Sequence, residues 1–154
     1  ERRRDYFDPY HAALKSEIAR LRQRHNRVAL YDCHSIRSAI PRLFNGELPA
    51  FNLGTNSGAS ADPGLIAAVA KILQASGQSF VVDGRFKGGW ITRRFGKPAE
   101  GVDALQMELA CRAYMREPET VGLDNWPTPY EPTYAAATRG VLQEIFSTIL
   151  AWLG

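Results

Sequence analysis

Three short stretches of this sequence hold residue types that can do chemistry. Residues 31–38, YDCHSIRS, set a carboxylate, a thiol, an imidazole and a guanidinium close together behind the apolar run Val28-Ala29-Leu30. An imidazole just past a buried strand can ligate a metal, act as a base, or simply hydrogen-bond its loop. Asp32, two positions before His34, can co-ligate or orient that ring, although D-x-H alone is a weak signal. The second stretch is Leu105-Gln106-Met107-Glu108-Leu109, a carboxylate inside an apolar run. Burial would raise the pKa of Glu108 and suit it to acid–base work, whereas pairing with an arginine would make it structural. The third, GRFKGGWITRRFG, carries Arg85, Lys87, Arg93 and Arg94 among Gly84, Gly88, Gly89 and Gly96. Guanidinium forks match carboxylates bidentately, and glycines let backbone approach a small ligand. A solvated basic loop is the plain alternative.

Other readings of the same residues carry less weight. Phe86, Trp90 and Phe95 interleave with the basic residues and admit stacking on RNA. The net charge is only +3, so nucleic acid is not an expected partner. Cys33 adjoins His34, but neighbours on an extended segment point to opposite sides, so a buried structural thiol is expected. A catalytic zinc needs about three protein ligands. The chain has three histidines, and His11 and His25 belong to a first helix or its end. No complete zinc site is visible.

These stretches must be positioned by regular elements. The 154 residues suit one domain, and 45% apolar with 23% charged content suits a packed core. Asp8-Pro9 reads as a helix start, with Leu14, Ile18 and Leu21 as its apolar stripe. Val28–Tyr31 reads as a strand too uniformly apolar to have a wet face. Residues 33–61 read as one long loop. Asp62-Pro63 opens a second helix, with Leu65, Ile66, Val69, Ile72 and Leu73 inward and Gly77 as its stop. A strand over Ser79–Val82, a loop over Asp83–Gly101 and a strand over Ala104–Leu109 follow. Tyr114–Pro132 is irregular, and a last helix covers Thr133–Leu153. Helices alternating with buried strands predict an α/β fold with a mainly parallel or mixed sheet flanked by helices. Ligands of such sheets bind beyond the carboxyl ends of the strands, which predicts that all three chemical stretches converge on one rim. Three short strands leave open edges, so further strands are expected from a longer chain or a partner. No apolar run is long enough to span a membrane, and two cysteines outside any framework suit a cytoplasmic protein.

The segments YDCHSIRSAIPRLFNGELPAFNLGT and GRFKGGWITRRFGKPAEGVDALQMELACRAYM resemble the N-formylglutamate amidohydrolase (N-formylglutamate deformylase) family, from about Arg3 to Met115. The resemblance implies a fold related to the zinc carboxypeptidases, a phosphorylase/hydrolase-like arrangement. It implies zinc-dependent hydrolysis of N-formyl-L-glutamate to glutamate and formate in histidine degradation. It places His34 at the metal with Asp32 beside it, and makes Glu108 the acid–base residue. Arg85 and Arg93, with Arg94 and Arg37, are expected to bind the carboxylates of a small dicarboxylate substrate, with Asn52 and Thr55 lining the pocket. Family members carry an upstream P-H-S-G motif that is absent here. Residues 1–154 are therefore expected to be one α/β domain forming the C-terminal part of a longer amidohydrolase, with the other zinc ligands in the missing segment. The alternative is a carboxylate- or RNA-binding module without chemistry.

Overall fold

The computed structural model describes residues 1–154. Its centre is a four-stranded sheet built from β1 (Val28–Ile36), β2 (Phe51–Gly54), β3 (Phe80–Val82) and β4 (Val102–Ala110), in the order β1-β4-β2-β3. β4 lies parallel to β1, paired residue by residue from Val28↔Val102 to Ile36↔Ala110. β2 runs antiparallel to β4, and β3 runs parallel to β2. The sheet is therefore mixed. β4 sits between two strands with both faces covered, and every residue of it except Leu109 is buried.

Four helices pack around the sheet: α1 (Asp8–Arg22), α2 (Pro63–Ala75), α3 (Trp90–Phe95) and α4 (Ala136–Leu153). α2 starts and stops where its sequence says. The Asp62 carboxylate accepts from Gly64 N at 2.8 Å, Pro63 takes the first position, and Gly77 leaves the helix at φ +70°. Its buried stripe is Leu65, Val69, Ile72 and Leu73, while Ile66 is half-buried. α4 buries Thr138, Val141, Ile145 and Ile149 at the same helical spacing and packs against α2. These two helices cover Phe51, Leu53, Leu105 and Met107 on one face of the sheet, which is the main core. Full burial of each such side chain contributes about 1.5–3 kcal/mol. α3 lies on the other face, against β4 and β1.

Several expectations change. The first helix does not start at an Asp8 cap: a π-helical turn, Arg3–Phe7, runs straight into α1, and Asp8 is itself helical. Its carboxylate pairs with Arg3 at 3.3 Å instead. β1 does not end at Tyr31, because pairing with β4 continues to Ile36 and carries the polar residues into the strand. Nor is it dry: β1 is an edge strand, and Cys33, His34 and Ser35 are exposed. The loop expected over 33–61 contains β2, whose local composition reads as loop but whose tertiary partner makes it a strand. The loop expected over Asp83–Gly101 contains α3 and a 3₁₀ turn at Pro98–Glu100.

The common rim is corrected most. Since β3 runs antiparallel to β1 and β4, its carboxyl end points the opposite way from theirs. The glycine–arginine segment leaves from that end and folds back as α3 over the sheet. A shared face replaces a shared rim.

Candidate active site

Strand alternation decides which side chains share that face. Asp32 and His34 are two apart on β1, and Gln106 and Glu108 are two apart on β4. Register sets His34 beside Glu108 and Asp32 beside Gln106. On the other flank of β4, Asn52 of β2 pairs with Glu108. All five residues lie on the face covered by α3, opposite the Leu105–Met107 core. Cys33 falls on the other side, with its Sγ 3.7 Å from the Tyr31 carbonyl, so the thiol does not serve His34. It is exposed rather than buried; Cys111 is the buried thiol, and both are free.

Asp32 Oδ1 lies 3.1 Å from His34 Nε2, which fixes the ring against a largely covered carboxylate. Glu108 is 7% exposed. Burial pushes its carboxyl above the ordinary range; the His34 ring counteracts this and Asp32 adds to it. A carboxyl held up in this way takes and returns protons closer to neutrality than a solvated one. Asn52 is fully buried, and its Nδ2 donates to the carbonyls of Pro49 (2.9 Å) and Glu108 (3.0 Å). This bond fixes the backbone beneath Glu108, while Asn52 Oδ1 has no partner in the chain.

The other expected residues divide. Thr55 is buried with its hydroxyl donating to Asp83 and accepting from Gly58 N, so it builds the turn after β2. The Arg85 guanidinium donates to the Leu43 carbonyl and stacks 5.0 Å from the Phe44 ring. Arg37 lies 3.6 Å from Glu117 and over Trp126, beyond the end of β1. On α3, Arg93 spends Nη1 on the Gly88 carbonyl at 2.6 Å, and Arg94 stays exposed. Arg85 and Arg93 each commit one guanidinium nitrogen to a backbone carbonyl and keep their other donors.

Gln106 was not singled out by its sequence position. It is 5% exposed, and its Oε1 accepts from Gly89 N at 2.5 Å, joining β4 to the start of α3. The signal was the alternation in Gln106-Met107-Glu108, which puts both polar side chains on one face.

Zinc fits these residues incompletely. His34 offers ligand chemistry with Asp32 in support, but no group of three or more His, Cys, Asp or Glu side chains is gathered that could hold a metal ion.

A mixed α/β sheet with a buried carboxyl beside an Asp–His pair defines the class, and known proteins place it more closely. The crystal structure of N-formylglutamate amidohydrolase from Ralstonia eutropha JMP134 matches with a TM-score of 0.80 at 26% identity, over 99% of this chain and 52% of that one. N-formylglutamate deformylase of Pseudomonas aeruginosa is 46% identical over 149 residues, covering 96% of this chain and 53% of the relative. The Pseudomonas putida protein of the same name is 45% identical over 157 residues, covering 99% and 56%. Residues 1–115 match the model of the N-formylglutamate amidohydrolase family. The chain belongs to that family, and it spans about half the length of the curated relatives it matches.

Proposed function

We propose that the protein hydrolyses a linear amide, N-formyl-L-glutamate, to L-glutamate and formate. The observation that carries this reading is Glu108: a buried carboxyl with raised proton affinity, in register with His34. Glu108 takes a proton from the attacking water as it adds to the formyl carbon, then gives it to the leaving amine as the C–N bond breaks. Asp32 holds the His34 ring, and Asn52 holds the strand that carries Glu108. Arg93 meets a substrate carboxylate through its guanidinium fork, whereas Arg94 lines a groove with Lys15, Glu100 and Val102 at the start of β4. Names of relatives at 45–46% identity support the substrate.

Zinc belongs to the proposal as a single ion with His34 as one ligand, completed by ligands that this chain does not bring together. Glutamate and formate as products suit a last step of histidine degradation, and two free thiols suit the cytoplasm. No helix is long and apolar enough to cross a membrane. Formate release from N-formyl-L-glutamate, with metal analysis of the purified protein, tests the reading. Turnover that is lost in Glu108→Gln supports it. In the whole protein, dicarboxylate binding with no bound metal and no formate release would mark a binding module.

A further inference from the structure

The segment that carries the α3 arginines has no strand pairing of its own at residues 87–89, yet it is held close to the sheet at three points. Asn56 N donates to the Lys87 carbonyl at 2.6 Å. The Gly54 backbone passes beneath Gly88 so closely that a Cβ there would lie 2.5 Å from Gly88 N. The third point is the 2.5 Å bond from Gly89 N to Gln106 Oε1. This is the one tie that comes from β4, two residues before Glu108 and on the same face. Gly89 is the residue from which α3 springs, and a Cβ on it would lie 3.1 Å from that same Gln106 oxygen. Arg93 then bonds back to Gly88, one residue before the tie. Gln106 is nearly fully buried, so its amide meets a backbone N–H that water does not readily serve.

We propose that Gln106 is a positioning residue, whose Oε1 sets the seat of α3 on β4 and so the placement of Arg93 relative to Glu108. Catalysis by Glu108 does not pass through it; substrate carboxylate placement does. The consequence for turnover rests on the amide hydrolysis proposed above, whereas the anchoring of α3 does not.

Two variants separate the roles. Gln106→Leu keeps bulk but removes the acceptor, and Gln106→Glu keeps an acceptor oxygen for Gly89 N–H. Hydrogen–deuterium exchange on the purified protein reads the anchor directly. Faster exchange confined to residues 89–96 in Gln106→Leu, restored toward wild type in Gln106→Glu, with β4 protection unchanged, is the expected result. Unchanged exchange in Gln106→Leu, or loss spread over the whole sheet, overturns the proposal. With N-formyl-L-glutamate, Gln106→Leu should raise KM about tenfold while kcat falls less than about threefold, the pattern of lost substrate binding. Gln106→Glu should recover most of that KM. A fall in kcat with KM unchanged would overturn the placement of Arg93 by Gln106. Absence of turnover in the whole wild-type protein with metal supplied would refute the hydrolysis reading instead, and exchange alone would then decide the anchor.

Discussion

Replacing Gly54 by alanine tests how tightly the segment before α3 is seated. The added Cβ would lie 2.5 Å from Gly88 N, 2.8 Å from Lys87 C and 3.0 Å from Gly88 Cα. The shortest of these falls about 0.9 Å inside the 3.4 Å at which ordinary contacts begin. All three atoms belong to backbone, so no side chain can swing away. The segment can retreat only by stretching the Asn56–Lys87 bond at 2.6 Å and the Gly89–Gln106 bond at 2.5 Å. Overpacking of this kind costs about 1–3 kcal/mol. Weakening one of those bonds adds about 1 kcal/mol. Urea denaturation should therefore place Gly54→Ala about 2–4 kcal/mol below wild type at an unchanged m-value. Gly140→Ala is the control: it sits inside α4, and its Cβ would meet nothing within 4 Å. Alanine there should stabilise the protein by about 0.5–1 kcal/mol. A Gly54→Ala protein within about 0.5 kcal/mol of wild type would refute the argument, because the close approach would then be freely adjustable.

Three further outcomes follow from single observations. Glu108→Gln, isosteric but unable to move a proton, should lower kcat at least about a hundredfold with KM nearly unchanged, read by formate release. A kcat close to wild type would remove Glu108 from the mechanism. Asp62→Ala removes the cap of α2 and the 3.0 Å pair with Arg27, so thermal denaturation should show a loss of about 1–2 kcal/mol; no loss would mean the cap is idle. Alkylation of the folded protein should modify Cys33 alone, leaving Cys111, 5% exposed, until denaturant is added. Partial desolvation and the neighbouring Asp32 carboxylate hold the Cys33 thiol above its ordinary value of 9.0, burial does the same for Cys111, and only the thiolate reacts. The Cys33 rate should therefore still climb as pH passes 9, and a plateau below that point would contradict its raised pKa.

Helix α2 was fully legible in the sequence because each of its signals is local. A capping carboxylate, a proline at the first turn, four inward side chains and a terminal glycine all act within one element. β4 was legible because Ala104, Leu105, Met107 and Leu109 crowd one short stretch, although the buried Asp103, Gln106 and Glu108 interrupt it. β1 was read short because an edge strand needs apolar residues only on its covered face. The polar residues Asp32–Ser35 are held in the strand by pairing with β4, which no window of local sequence contains. β2 failed for the same reason, being only four residues long, Phe51–Gly54.

Missing β2 had a larger effect than four misread residues. β2 lies between β4 and β3 and runs against β4, so it reverses β3 relative to β1. Without it, three strands joined by helical crossovers would all point one way, and their loops would meet at one rim. With it, the arginine segment starts from the far end and reaches β4 only by folding back across the sheet. A segment that crosses a face needs close backbone approach where it crosses, and an acceptor where its helix begins. Gly54, passing against Gly88, provides the first and Gln106 the second. Gly88 and Gly89 of the arginine segment, read from sequence as room for a ligand, make room for the protein's own Thr92 and Gln106 side chains. Period-two alternation placed Asp32 with His34, and Gln106 with Glu108, whichever way the strands ran. The chemical face was thus readable strand by strand, while its roof depended on a strand direction that only the folded sheet sets.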